Sequence, residues 1–294
     1  MSSFEIYTLA IGANLTYSSA GMIYAIYARR FSSIWINQFK VAVILLTFLV
    51  AMLVSGQTVA VSATSIGFLL LSGFAGLCFG DVFLVRAFVT LGAARSLVLY
   101  SFQPLMLGLY AYCFLGQLFS LNQTLAVVCM MICVFIFMLE RNRLTGSWDL
   151  RSFTWAFLGI SLDAFGTMLT RSAYELDPGL QTFQVNFIRC VGAFAGFVML
   201  SPRSYLTQLK EVSAMRKREI TLLLGAALSG GFLSLAFYLA ALKYAHIGTL
   251  TAISITGPIW VSLMECIYFK KLPNYFLLVA FAFFLTGFYL MMYP

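Results

Sequence analysis

The chain has 294 residues, of which 62% are hydrophobic and only 10% are charged, and its mean hydropathy is +0.94. A soluble domain is about half apolar and a quarter charged, so this composition excludes a soluble protein and indicates one that crosses a membrane several times. The net charge of +8 lies mostly in short loops between apolar segments, which indicates membrane topology and not a nucleic-acid partner.

Ten segments are long and apolar enough to cross the hydrocarbon core, which is about 30 Å thick and needs about 20 residues of helix. They are residues 4–27, 33–54, 65–89, 93–116, 120–139, 152–173, 179–201, 219–242, 247–269 and 273–292. The first is a retained span and not a cleaved signal peptide, because it lacks a basic beginning and is too long. The predicted fold class is an all-α polytopic membrane protein, since no segment alternates like a barrel strand.

Two parts of the sequence repeat each other. An offset of 154 residues aligns Pro104 with Pro258, Ala87 with Ala241, Leu109 with Leu263, Phe114 with Tyr268 and Leu118 with Leu272. An offset of 149 aligns Asn14 with Asp163, Asn37 with Asn186 and Lys40 with Arg189. We therefore predict two five-helix repeats, at 1–145 and 146–294. Because five is odd, the second repeat enters the membrane upside down, and such inverted repeats around a central cavity are typical of secondary transporters.

The two matched prolines are predicted to be helix hinges. Each lies near the middle of a predicted span. Proline has no N–H and its ring pushes on the carbonyl four residues back, which frees the carbonyls of Tyr100 and Ser254. A single proline would indicate only a packing kink, but the matched pair of Pro104 and Pro258 predicts one hinge facing the substrate in each repeat.

Six charged residues interrupt the spans and are candidates for function, because charge at membrane depth is costly. They are Lys40, Asp81, Arg86, Asp163, Arg189 and Glu265. Asp163 is the first candidate for a proton or coupling-ion site and Asp81 the second, since a short side chain cannot reach the interface from there. Lys40 and Arg189 can reach an interface, pair with acids or contact substrate. Glu265 lies near a helix end, where it can also reach headgroups or loop lysines.

The predicted substrate-binding set adds polar residues within the spans to these charges. It consists of Asn14, Tyr17, Asp81, Arg86, Tyr100, Gln103, Asp163, Tyr238, Ser254 and Glu265. For any one tyrosine, packing within the bundle is the alternative. No catalytic residue, metal site or cofactor is expected: the six cysteines all lie in apolar segments, and the catalytic motifs of nucleotide hydrolysis and acyl transfer are missing.

At this point the sequence resembles the EamA family of the drug/metabolite transporter superfamily. The resemblance rests on the run "ALKYAHIGTLTAISITGPIWVSLMECIYFKKLP" from Ala241 to Pro273, and on its counterpart from Ala87 to Leu118. It implies a bundle whose first, third, fourth, sixth, eighth and ninth helices surround a cavity, and proton-coupled or exchange transport of amino acids, other metabolites, nucleotide sugars or drugs. The Gly-Glu pair frequent in the family is Gly116-Gln117 and Lys270-Lys271 here.

The orientation of the chain stays open at this stage. Most loop arginines and lysines lie on the side opposite the termini, so the positive-inside rule places both termini outside the cytoplasm. The resemblance implies cytoplasmic termini instead. The expected location is the inner (plasma) membrane of a bacterium.

The leading hypothesis is a secondary active transporter of a small polar or zwitterionic metabolite, amino-acid-like, working by alternating access. The three acidic and three basic charges within the spans suit a substrate that bears both signs. The alternatives are a flippase for a lipid or lipid-linked headgroup and a membrane-embedded transferase. The expected partners are the substrate and membrane lipids, without nucleic acid, and the chain is expected as a monomer or homodimer.

Overall fold

The structure is a computed structural model and describes residues 3–56, 58–100, 103, 106, 109–110, 121–146, 149–201, 204–244, 256–270 and 274–292. Every regular element in these residues is a helix. The α-helices are α1 (Ser3–Phe31), α2 (Ser33–Ser55), α3 (Ala63–Ser72), α4 (Asp81–Leu91), α5 (Ala93–Tyr100), α6 (Leu121–Thr145), α7 (Leu150–Leu176), α8 (Thr182–Leu200), α9 (Ser204–Ser213), α10 (Lys217–Ala226), α11 (Ser234–Tyr244), α12 (Thr256–Phe269) and α13 (Tyr275–Met292). Two π-helical segments join them: π1 (Gly73–Gly80) and π2 (Ala227–Leu233).

Six helices in the described residues are long and apolar enough to cross a membrane. They are Ser33–Ser55, Ala63–Leu91, Thr124–Leu144, Leu150–Leu176, Thr182–Leu200 and Lys217–Tyr244. Large apolar side chains such as Leu46, Val50 and Val54 are exposed on the outside of the bundle, where lipid would cover them. The chain is a multi-pass membrane protein. The predicted spans 93–116 and 247–269 lie partly outside the described residues, so the count of ten stays a prediction.

Two of the long helices contain a π-helical segment near the middle, which the sequence did not predict. The helix Ala63–Leu91 widens at Gly73, and the helix Lys217–Tyr244 widens at Ala227. The two starting points are 154 residues apart, the offset that also aligns the prolines. At Gly73 a Cβ atom would overlap the backbone carbonyl of Arg189, so only glycine permits this close approach between π1 and α8.

Elements at equivalent positions of the two repeats make equivalent contacts. The segment π1 packs on α7 and α8, and π2 packs on α1 and α2. Two helices also contact their own counterparts, as α2 contacts α8 and α6 contacts α13. The rings of Phe48 and Phe183 are 6.5 Å apart, so the later part of α2 meets the beginning of α8.

Capping groups fix where several helices begin and end. The hydroxyl of Ser32 accepts a hydrogen bond from the N–H of Trp35 at the start of α2, and the hydroxyl of Ser62 accepts one from Ser65 at the start of α3. Gly56 ends α2 at φ 64°, a left-handed conformation that glycine adopts without strain. These caps satisfy backbone groups that would otherwise lack partners at the helix ends.

Candidate functional site

A polar cavity lies in the middle of the bundle, where both repeats contribute helices. In this conformation its volume is about 80 Å³, below the ~300 Å³ of a pocket for a drug-sized ligand. It has room for water or a small polar molecule. The lining residues are Ala10, Ala13, Asn14, Tyr17, Ser18, Lys40, Leu77, Asp81, Leu97, Tyr100, Gln103, Asp163, Thr167, Arg189, Gly230, Gly231, Ser234, Leu235, Tyr238 and Gly257.

Two of the charged residues in the cavity wall form an ion pair. The ammonium group of Lys40 on α2 contacts the carboxylate Oδ2 of Asp81, the first residue of α4. Both residues are buried, and the ammonium group also lies 5.9 Å from the ring centre of Tyr24. Burying either charge alone would be costly, so the pair neutralises itself and fixes α2 against the end of π1.

A second acid, Asp163 on α7, is held by two donors from the first repeat. The hydroxyl of Tyr100 donates to its Oδ2 at 2.5 Å, and Nε2 of Gln103 donates to the same oxygen at 2.6 Å. Among the described residues no hydrogen bond reaches Oδ1, which lies beside the backbone of Gly76. Asp163 therefore has one oxygen held by two donors and one oxygen that accepts no hydrogen bond among the described residues.

The remaining charge in the cavity wall is Arg189 on α8, and it has no acidic partner among the described residues. Its Nε donates to the hydroxyl of Ser72 at 3.0 Å. Its Nη1 has no hydrogen-bond partner in the part of the chain that the structure describes, although the residue is 2% exposed. A buried guanidinium with an unused donor is a group that is able to bind an anion.

Two asparagines satisfy backbone carbonyls just after the π-helical segments. Nδ2 of Asn37 donates to the carbonyl of Asp81 at 3.1 Å, and Nδ2 of Asn186 donates to the carbonyl of Leu235 at 3.2 Å. The π-turn shifts the helical hydrogen-bond register, and a buried carbonyl needs a donor. Under the two offsets, Asn37 corresponds to Asn186 and Asp81 to Leu235.

This correspondence explains why Arg189 lacks an acid. Its counterpart Lys40 pairs with Asp81, but the residue equivalent to Asp81 in the second repeat is Leu235, which lines the cavity and carries no charge. In the same way, Asp163 in the second repeat carries a charge and its counterpart Asn14 in the first repeat does not. Once Lys40 and Asp81 neutralise each other, one acid and one base remain at the cavity, and both lie in the second repeat.

The cavity brings together seven of the ten residues that the sequence predicted for substrate binding. These are Asn14, Tyr17, Asp81, Tyr100, Gln103, Asp163 and Tyr238. Arg86 does not line it: this side chain lies on another face of α4 and lines a separate cavity with Arg151 and Trp155. A five-residue separation turns a helix by about 140°, so Asp81 and Arg86 face different neighbours.

The other predicted residues fall wholly or partly outside the described part of the chain. Ser254 and Pro104 are not described, and for Glu265 and Pro258 only the backbone is, within α12. Pro258 is the third residue of that helix, where proline is tolerated. The binding role of Ser254 and Glu265 and the two hinges stay predictions.

The candidate set from the sequence missed two kinds of cavity residue. Lys40 and Arg189 were recognised as charges within spans, but their length allowed them to reach an interface instead. Small hydroxyl residues such as Thr167 and Ser234 are too common in membrane helices to stand out. In the described residues no group of three or more His, Cys, Asp or Glu side chains is placed to hold a metal ion.

Comparison with known proteins agrees with this architecture. One crystal structure has a TM-score of 0.65 to this chain at 12% sequence identity, over 97% of this chain and 94% of that one, which is a likeness of fold alone. The comparison with curated proteins gives no match. The model of the EamA-like transporter family matches residues 5–139 and again residues 150–293. Since the two matches span nearly the whole chain, the chain belongs to the EamA-like transporter family.

Proposed function

We propose that this chain is a secondary transporter that carries a small zwitterionic metabolite, amino-acid-like in its charges, through the central cavity by alternating access. Membership of the EamA-like transporter family supports a carrier. The substrate class rests on the cavity itself, and the location we propose is the inner membrane of a bacterium.

The observation that carries the proposal is the separation of Asp163 from Arg189. A Cβ atom on Gly76 would lie 3.4 Å from Oδ1 of Asp163 and 3.9 Å from Nη2 of Arg189, so both charged groups border the same small space. They do not form an ion pair with each other. A ligand with an ammonium and a carboxylate on one carbon would bridge them.

Each end of such a ligand would find a suitable partner. The ammonium group would donate to Oδ1 of Asp163, and the carboxylate would accept from the guanidinium of Arg189, whose fork suits carboxylate geometry. An unpartnered buried donor costs about 1–3 kcal/mol, and the carboxylate would remove that cost at Nη1. A ligand with several phosphates would need excess positive charge, which a cavity with two acids and two bases does not supply.

Alternating access would follow from two inverted repeats, 1–145 and 146–294, set around this cavity. The contact between the later part of α2 and the beginning of its counterpart α8 supports the inversion. Two polar contacts at equivalent positions of the repeats also support the inversion. Ser62, which caps α3, donates to Asp177 at the end of α7, and Glu219 in the first turn of α10 pairs with Arg30 at the end of α1. In two inverted repeats these two contacts would lie at opposite faces of the membrane, so each could hold the cavity closed on its own side.

Asp163 is the coupling-proton site we propose. Asp81 is held by Lys40, so a proton arriving there would have to break an ion pair. Asp163 has no basic partner within 4.0 Å among the described residues, and its Oδ1 accepts no hydrogen bond in them. Protonation of Asp163 would weaken its hold on an ammonium group, which couples proton binding to substrate release.

The test is counterflow in liposomes that contain the purified protein. Labelled neutral amino acids are expected to exchange, and Asp163→Asn and Arg189→Gln are each expected to reduce exchange at least about tenfold, since each removes a charged hydrogen bond worth about 1.5–3 kcal/mol. Arg171→Gln is the matched control, because Arg171 pairs with Glu175 at the end of α7 outside the cavity. The proposal would be wrong if Asp163→Asn and Arg189→Gln exchanged as fast as Arg171→Gln, or if a folded wild-type protein exchanged no amino acid.

A further inference from the structure

A second cavity lies at one end of the bundle, away from the central one. Its volume is about 420 Å³. It lies between the end of α1, the start of α2, the later part of α4 and the start of α7. The residues that line it are Ala28, Ser33, Arg86, Val89, Thr90, Asp149, Arg151, Ser152 and Trp155.

Two guanidinium groups in this cavity share one aromatic ring. The Cζ atom of Arg86 is 5.1 Å from the ring centre of Trp155, and that of Arg151 is 5.6 Å from it. Phe83 stacks on the same indole at 5.3 Å with an interplanar angle of 11°. The indole therefore holds two positive charges in fixed positions, where each raises the free energy of the other.

No acidic side chain among the described residues lies within ion-pair distance of either of these two arginines. Neither forms an ion pair there, and the one acid in the wall, Asp149, accepts hydrogen bonds from the N–H and the hydroxyl of Ser152. Nε of Arg86 donates to the hydroxyl of Ser33 at 3.2 Å. That bond orients the guanidinium of Arg86 and leaves its outer N–H groups for a ligand.

The position of the cavity along the membrane normal suits a headgroup. Arg86 is five residues before the end of α4 at Leu91, which is about 7.5 Å along a helix. Arg151 is the second residue of α7. Tryptophan is enriched at the membrane interface, and this end of the bundle carries the larger share of loop arginines and lysines, which attract anionic headgroups.

We propose that this second cavity binds a phosphate group between Arg86 and Arg151. Arginine forks match phosphate oxygens with paired hydrogen bonds, and the hydroxyl of Ser33, which accepts from Arg86, can donate its own hydrogen on the same wall. The phosphate belongs either to an anionic lipid headgroup that enters from the adjoining leaflet or to a free phosphate in the solution at this end of the bundle. The site is independent of the proposed carrier function, since it shares no lining residue with the central cavity.

The experiment measures binding to the full-length protein in detergent. Native mass spectrometry counts bound phosphatidylglycerol and phosphatidylcholine, and titration calorimetry measures binding of inorganic phosphate. The variants are Arg86→Gln, Arg151→Gln and both together, with Arg86→Lys to separate charge from fork geometry. Arg143→Gln is the matched control, because Arg143 also lies over an aromatic ring, Phe276 at 5.3 Å, but outside the cavity.

The expected result is retention of phosphatidylglycerol over phosphatidylcholine, displacement by inorganic phosphate, and a loss of at least about tenfold in affinity in the double variant. The affinity of Arg86→Lys is expected to lie between those of the wild type and the double variant, and the affinity of Arg143→Gln is expected to match the wild type. Phosphate binding without any preference for phosphatidylglycerol would assign the site to free phosphate. The proposal would be overturned if the wild-type protein bound neither phosphatidylglycerol nor inorganic phosphate, or if the double variant bound them as tightly as the wild type. If Arg86→Gln does not fold, Arg151→Gln carries the same test, since Arg151 is exposed at the helix start.

Discussion

A methyl group added at Gly76 is expected to block transport without unfolding the protein. The new Cβ atom would meet its nearest neighbours at 3.4, 3.7 and 3.9 Å, which are ordinary van der Waals distances, so no backbone has to move. Alanine is also about 0.5–1 kcal/mol better than glycine inside a helix. The unfolding temperature of Gly76→Ala should therefore equal or exceed that of the wild-type protein.

The functional cost follows from where the methyl group would lie. It would stand between Oδ1 of Asp163 and Nη2 of Arg189. Its volume is close to that of a water molecule, about 30 Å³, so it would occupy the space beside these two atoms that the bridging ligand needs. Losing one charged hydrogen bond to the ligand costs about 1.5–3 kcal/mol, which is about a 10- to 150-fold loss of affinity.

The assay is counterflow of a labelled amino acid together with thermal unfolding of the same preparation. Gly67→Ala is the matched control, because Gly67 lies in the same long helix and a Cβ there would meet nothing within 4 Å. We expect Gly67→Ala to transport as wild type does. Normal transport by Gly76→Ala, or an equal loss in both variants, would refute the placement of the substrate between Asp163 and Arg189.

Two further predictions concern the ion pair of Lys40 with Asp81 and the hydrogen bonds that Asp177 accepts. Lys40→Met leaves the buried carboxylate of Asp81 without its cation and should lower the free energy of unfolding by about 3–5 kcal/mol, whereas Lys40→Met with Asp81→Leu, which copies Leu235, should recover most of that loss in chemical denaturation. Hydrogen bonds from Ser65 and Ser62 hold the pKa of Asp177 below its ordinary value, so the stability that they contribute is present above the ordinary pKa and is lost as pH falls through the lowered one. Hydrogen exchange at the start of α3 should rise with that acidification in wild type and lose this pH dependence in Asp177→Asn.

The internal duplication could be found in the sequence because it rests on residues that are rare in membrane helices. Proline, asparagine and charged residues stand out in apolar segments, and they gave the offsets of 154 and 149. The π-helical segments at the first of these offsets could not be predicted. At π1 the close contact is tertiary, since Gly73 meets the backbone of α8, and nothing local distinguishes this glycine from Gly67 in the same helix.

The central cavity could be predicted in composition but not in pairing. Asp163 was placed as the leading polar site from its depth in the span alone, and the structure surrounds it with Tyr100 and Gln103 from distant parts of the chain. The sequence could not choose between the possible roles of Lys40 and Arg189. Both are long side chains at a similar depth. Lys40 is paired and Arg189 is not, because another helix offers Asp81 to Lys40 and only Leu235 at the equivalent position for Arg189.

The most direct test of the central claim compares substrates that differ only in charge. In counterflow with wild-type protein, a neutral amino acid should exchange, while its amide, which lacks the carboxylate for Arg189, and its deaminated acid, which lacks the ammonium for Asp163, should each exchange at least about tenfold less. Exchange of the deaminated acid or the amide at the rate of the amino acid would contradict the claim that these two charges hold the substrate.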